Sequence, residues 1–310
     1  MKYLKLIRYQ NLLLLAFMQF IFRFGFLKFQ TVFLSLTDWQ YGLLIISTVL
    51  IAAAGYIIND IMDQETDNYN KSNTVIIGKS ISEKAAYNLY FVLNITGVGI
   101  GYYLANVIHK PSFAGAFIII SATLYMYATS LKQMILIGNI IVALLLSFSV
   151  LIIGLFDLLP ATYDGNQAEM GTLFSILIDY AVFAFIINLI REIVKDMEDV
   201  DGDYNQGMNT LPIAIGISRT AKIVSVLGII ATVILLWYIN SNLMLSKLYF
   251  AVIYGLLFIV GPIIFFVVKV WNAKSKKDFH LLSTVLKWVI FFGILSILVI
   301  TLNINYNAKG

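Results

Sequence analysis

The chain is 310 residues long, 60% apolar and only 12% charged, with a mean hydropathy of +0.87. Such a composition lies outside the range of soluble globular domains and marks a polytopic membrane protein. The lack of cysteine excludes a disulfide framework, a thiolate metal site and a cysteine nucleophile, and a net charge of +4 without a basic face excludes nucleic acid as a partner.

The first apolar run follows a basic head, Lys2, Lys5 and Arg8, and has no small-residue cleavage site, so it reads as a retained span rather than a signal peptide. Runs long enough to cross about 30 Å of hydrocarbon number nine. They lie near 11–34, 41–58, 85–108, 113–131, 134–159, 171–190, 221–240, 246–269 and 284–303. The first is the least clean, because Arg23 and Lys28 interrupt it. Placing the amino terminus in the cytoplasm puts sixteen of the twenty-one Lys and Arg residues on inside segments, with Arg23, Lys28, Lys110, Lys247 and Lys309 scattered opposite. The positive-inside rule selects that orientation, in a plasma membrane of bacterial or archaeal type.

Against this background the carboxylates are unevenly spread. Ten of the seventeen acidic residues fall within 60–67 and 192–203. Asp60, Asp63 and Asp67 match Asp196, Asp199 and Asp203 at a constant offset, and the three-then-four spacing predicts each trio on one face of a helix. Like charges so placed repel, and near lipid they call for a partner charge or a metal. Oxygen donors without Cys or His suit Mg²⁺, a hard cation that bridges readily to phosphates. The bland alternative is a solvated acidic loop, but such loops do not usually repeat a three-member spacing. The repeat also suggests two pseudo-equivalent halves, with both clusters opening to the cytoplasm.

Small residues, Ala52 to Gly55 and Gly97, Gly99 and Gly101, read as close helix packing rather than ligand contacts. Polar stretches 68–83 and 204–218 follow the two motifs and can serve as caps. A lysine at a helix end is more often a snorkelling anchor than a ligand. Lys132 nevertheless lies in YMYATSLKQMILIGN, where Tyr127, Ser130, Lys132 and Asn139 concentrate polarity in a nearly loop-free hairpin. His109 and His280 read as interfacial residues without a catalytic role.

NDIMDQETDNYNK resembles the first aspartate-rich motif, NDxxDxxxD, of the UbiA superfamily of intramembrane prenyltransferases, and DMEDVDGDYNQGMNTLP resembles its second. The likeness extends to Leu6-Ile7-Arg8 with Asn11 and to YATSLK, so it spans nearly the whole chain. It implies one transmembrane domain over residues 1–310, about nine helices around a central chamber, two Mg²⁺ ions, a polyprenyl diphosphate donor and a hydrophobic acceptor. On that resemblance Asn59, Asp63 and Asp67 hold one metal and Asp199 and Asp203 the other, with Asp60 and Asp196 as supporting ligands. Arg8, Lys71, Tyr127 and Lys132 contact the diphosphate. Glu192, a turn before Asp196, is either a supporting group or the partner of Arg191. One departure is plain: where the family continues into a Pro-x-Arg-Pro segment, this chain reads Ser72-Asn73-Thr74-Val75, so donor capture leans on the lysines.

REIVKDMEDVDGD further resembles the branch that adds a geranylgeranyl group to geranylgeranylglyceryl phosphate. An aromatic, quinone-precursor acceptor is the alternative within the family. A divalent-cation transporter is the alternative from another class. It predicts carboxylates along a path to both faces, whereas these lie on one side.

Overall fold

Nine long helices and no strand make up the described residues of the computed structural model, which are 2–64, 76–205 and 207–308. They are α1 (Tyr9–Phe24), α2 (Asp38–Met62), α3 (Glu83–Val107), α4 (Ala114–Thr129) and α5 (Ile137–Asp157), then α6 (Gln167–Glu198), α7 (Ile217–Tyr238), α8 (Tyr249–Val270) and α9 (Lys276–Asn307). Eight of them, some extended by a flanking turn, are long and apolar enough to cross a membrane. The ninth, α3, has the length, at 25 residues, but Asn88, Asn94, Gly97, Gly99 and Gly101 dilute its apolarity. The chain is thus an integral membrane protein of all-α class, and the expected spans map onto these nine helices.

Local signals set the helix ends. Ser82 caps α3 by accepting a hydrogen bond from Ala85 N–H at 3.3 Å. Ser275 and Asp278 cap α9 reciprocally, the hydroxyl accepting from Asp278 N–H and the carboxylate from Ser275 N–H. The first expected span ends its α-helix at Phe24 and continues as a short 3₁₀ turn, Leu27–Gln30. Its interrupting cation, Arg23, is buried. α8 carries a π turn, Leu256–Val260, just before Pro262, which cannot donate to the helix ladder.

The chain forms two compact units. The first comprises Met1–Phe20, Phe33–Lys132 and Ser149–Leu177. In it α2 and α3 approach through small residues: Ser47 Oγ donates to Gly97 O at 2.7 Å, and a Cβ on Gly97 would lie 2.7 Å from Ile51. Of the glycines and alanines expected to mark close packing, Ala53 and Ala54 are buried and Gly55, Gly97 and Gly101 lie against neighbouring side chains, whereas Gly99 is exposed with nothing within 4 Å of a Cβ placed there. One core cluster of this unit joins Ala54, Ile57, Ile58 and Ile61 of α2 to Leu6, Ala86 and Ala128. Ile77 and Ile81 complete it from a tight turn in which Gly78 adopts φ +83°. Burying that stripe fixes the rotation of α2 and turns its opposite stripe, Tyr56, Asn59, Asp60 and Asp63, away from the core.

The second unit comprises Ile21–Val32, Gln133–Phe148 and Ile178–Gly310. Its core packs Ile190, Ile193, Val194 and Met197 of α6 against Val224 of α7, Phe266 of α8 and Phe279, Leu282 and Leu286 of α9. The same logic applies. Once that stripe is buried, Glu192, Asp196 and Asp199 fall on the other side of α6.

Candidate active site

In the first unit, the last turn of α2 carries Asn59 and Asp60, and Asp63 caps the helix at φ −93°, ψ 5°. Asn59 Nδ2 donates to Asp63 Oδ2 at 2.9 Å. Lys132, in the 3₁₀ turn Leu131–Gln133, donates both to Asp63 Oδ1 and to Asn59 Oδ1. Its side chain is only 9% exposed, so it is no snorkelling anchor: the ammonium is held where two oxygens converge. Arg8 adopts φ +50° at the break before α1, donates to Asp60 Oδ1 at 3.0 Å and lies 4.9 Å from the Tyr56 ring centroid. Tyr56 in turn accepts from Asn11 Nδ2 at 3.2 Å, so both amino-terminal residues of the motif meet the end of α2. Desolvation works against the charge on Arg8, but Asp60, Tyr56 and Tyr127 outweigh it and raise the guanidinium above its ordinary pKa. Asp67 and Lys71 lie outside the described residues.

In the second unit, α6 ends at Glu198 and a short helix, Val200–Asn205, follows, which leaves Asp199 at the junction. Asp196 Oδ2 accepts from Asn139 Nδ2 of α5 at 2.8 Å. Asp199 pairs with Lys276 at 3.1 Å. Glu192 is held by Lys195 at 3.0 Å and by Arg191 at 3.4 Å, which favours its reading as an ion-pair partner. Asp203 N–H continues the ladder to Asp199 O at 3.0 Å. His280 meets Glu198 at 3.0 Å.

The spacing predicts each trio on one face of a helix; Asp67 lies outside the described residues, and the structure adds that the helices end within the acidic stretches. α2 stops at Met62 and α6 at Glu198, so Asp63 and Asp199 are helix-end residues. A carboxylate at a helix C-terminus faces the negative end of the macrodipole, which costs about 0.3–1 kcal/mol per charge, as at Asp63; Asp199 also precedes the N-terminus of Val200–Asn205, whose dipole favours it. Both sets are met by cations from elsewhere in the chain, Arg8 and Lys132 in one unit and Lys276 in the other.

Sequence reasoning singled out Asn59, Asp60, Asp63, Arg8 and Lys132, and the first unit brings these together. The polarity of Asn139 was legible in the hairpin, though not its partner. Lys276 was missed, since nothing in the lysine-rich start of α9 identifies an aspartate 77 residues away. Among the described residues no three His, Asp or Glu side chains gather at one point. The donor set nonetheless fits a hard divalent cation. It consists of oxygens alone, and Asn59 and Asp63 already aim theirs at one positive atom.

The UbiA prenyltransferase family profile matches residues 13–302. Digeranylgeranylglyceryl phosphate synthase of Thermococcus gammatolerans is 32% identical over 251 residues, covering 81% of this chain and 82% of that protein. The synthase of the same name from Methanosphaera stadtmanae is 30% identical over 248 residues, covering 77% of this chain and 79% of that one. A solved structure of a digeranylgeranylglyceryl phosphate synthase gives a TM-score of 0.63 at 23% identity over 97% of both chains. A UbiA homologue from Archaeoglobus fulgidus bound to DMAPP and Mg²⁺ gives 0.58 at 18% identity, covering 96% of this chain and 99% of that one. At these identities the structural likenesses establish the fold.

Proposed function

Because the chain belongs to the UbiA prenyltransferase family, we propose that it transfers a polyprenyl group from a polyprenyl diphosphate to the hydroxyl of a geranylgeranylglyceryl phosphate-type lipid. The observation that carries this reading is the end of α2, where Asn59 and Asp63 converge on Lys132 while Asp60 holds Arg8. Carboxylates suited to a divalent cation stand beside cations suited to a diphosphate. A passive anchor would need neither. The acceptor rests on the named relatives, which cover about four-fifths of the chain.

In this reading residues 1–310 act as one catalytic domain. Asn59, Asp60, Asp63 and Asp67 hold one Mg²⁺ and Asp196, Asp199 and Asp203 the other. Bound there, Mg²⁺ neutralises the negative charge that grows on the departing diphosphate. Lys132 and Arg8 add fixed positive charge beside it, with Lys71 and Tyr127 as further contacts. The allylic C–O bond breaks, the acceptor oxygen forms the new ether bond to the same carbon, and the hydroxyl proton is released with diphosphate. Apolar helices keep water from the allylic cation while it exists, and aromatic faces stabilise it by about 0.5–2 kcal/mol per well-placed ring. The amino terminus and both acidic sets face the cytoplasm, where a diphosphate donor and Mg²⁺ are supplied.

Purified protein is tested with Mg²⁺, radiolabelled geranylgeranyl diphosphate and a panel of a glyceryl ether phosphate, a hydroxybenzoate and a naphthoate. Labelled ether lipid is expected from the first acceptor alone, and none from Asp63→Asn or Asp199→Asn. Prenylation of an aromatic ring instead would overturn the acceptor. Unchanged turnover in both variants would overturn the site.

A further inference from the structure

The first turns of α7 place Ser218, Ala221 and Lys222 on one face, and that face does not end in lipid packing. It lines a pocket of about 350 Å³, closed on the other side by Trp271, Ala273 and Lys274 from the link between α8 and α9. Two lysines from separate elements thus line one cavity. Their neighbours are committed elsewhere, Lys269 to Asp278 at 3.7 Å and Lys276 to Asp199 at 3.1 Å, whereas the ammonium groups of Lys222 and Lys274 form no salt bridge among the described residues, although the Lys274 backbone N–H donates to Asp278 at 3.3 Å. Nothing in the chemistry described above uses them.

We propose that this pocket binds the phosphate headgroup of an anionic lipid. Phosphate chemistry follows from the donors: two lysines offer only hydrogen-bond donation and positive charge to an incoming oxygen, the Ser218 hydroxyl can donate beside them, and the first turn of a 22-residue helix adds to that field. Lipid chemistry follows from the place. Trp271 directly follows the membrane-spanning α8 and is 60% exposed, and α7 is itself a span, so the pocket straddles the boundary between apolar helix and polar link. Alanine and indole walls give the glycerol and first methylenes an apolar seat below the charged rim.

Trp271 also supplies the reporter. Wild-type protein in phosphatidylcholine nanodiscs is compared with the same discs containing phosphatidylglycerol, and with discs titrated with inorganic phosphate, by tryptophan fluorescence, with Trp271→Phe defining the signal that belongs to the pocket. A saturable change with phosphatidylglycerol is expected. It should be lost in Lys222→Gln/Lys274→Gln, kept in Lys222→Arg/Lys274→Arg, and need at least about tenfold more inorganic phosphate to appear. Both lysines are exposed, and a circular-dichroism spectrum verifies that each variant is folded. An equal response in the Gln variant, no response to the anionic lipid, or inorganic phosphate binding as tightly as the lipid would each overturn the proposal. None of these readouts depends on turnover.

Discussion

Lys132 illustrates how much a single side chain is asked to do. An ammonium this enclosed tolerates its position because Asp63 and Asn59 supply oxygen on one side, which leaves its remaining donor capacity for an incoming anion. Lys132→Met should lower turnover about 10²–10³-fold, the scale seen when one preorganised donor to a developing charge is removed. Leaving Asp63 with a neutral partner only should destabilise the protein by about 1–3 kcal/mol, read as a lowered unfolding temperature in detergent. Arg8 presents the opposite case. Its pair with Asp60 is 44% and 21% exposed, and such pairs contribute about 0–1 kcal/mol. Arg8→Gln should therefore leave the unfolding temperature nearly unchanged while raising KM for the diphosphate donor. A large thermal shift with unaltered KM would make Arg8 a structural residue only.

Among helices, the position of the acidic residues depends on packing that lies on the other face. α2 is held in rotation by Ile57, Ile58 and Ile61, and its contact with α3 depends on glycine at 97. The same device joins α3 to α4: a Cβ on Gly101 would fall 2.3 Å from the Phe117 ring, closer than any real contact. Gly101→Ala should cost about 1–3 kcal/mol through overpacking and depress the unfolding temperature with it. Gly99→Ala, where a Cβ meets nothing within 4 Å, is the matched control and should be neutral to stabilising by up to about 1 kcal/mol, the helix-propensity gain of alanine over glycine. Equal effects of the two would show that helix propensity rather than close approach governs α3. Helix ends matter as much as faces, since Asp63 and Asp199 stand at helix ends and are met by cations from distant segments, Lys132 and Lys276.

For the chain as a whole, membrane orientation is open to direct measurement. With no cysteine in the background, Lys277→Cys and Asn242→Cys are clean single labels on the two ends of the span set. A membrane-impermeant thiol reagent added to right-side-out vesicles should modify Cys at 242 and spare Cys at 277, and the reverse labelling would invert the assigned topology. Metal removal separates function from folding. The apolar clusters of each unit involve no metal ligand, so EDTA should abolish turnover, added Mg²⁺ should restore it, and the helical circular-dichroism signal should not change throughout.

Much of this was legible one residue at a time. Apolar run length announces a membrane helix whatever its neighbours are, because each span must satisfy its own backbone hydrogen bonds. The duplicated aspartates and the family motifs were equally local, and so were the caps at Ser82 and Ser275. Which cation meets which carboxylate was not. Asp199 finds Lys276 and Asp60 finds Arg8, and Asp196 finds the neutral amide of Asn139, across 52 to 77 positions of chain. No periodicity spans such intervals; those meetings are decided by how the helices pack, and so is the pocket that Lys222 and Lys274 share. Even the point at which α2 and α6 stop belongs to that second category, because the charge that tolerates Asp63 or Asp199 at a helix end comes from a part of the chain that only folding brings near.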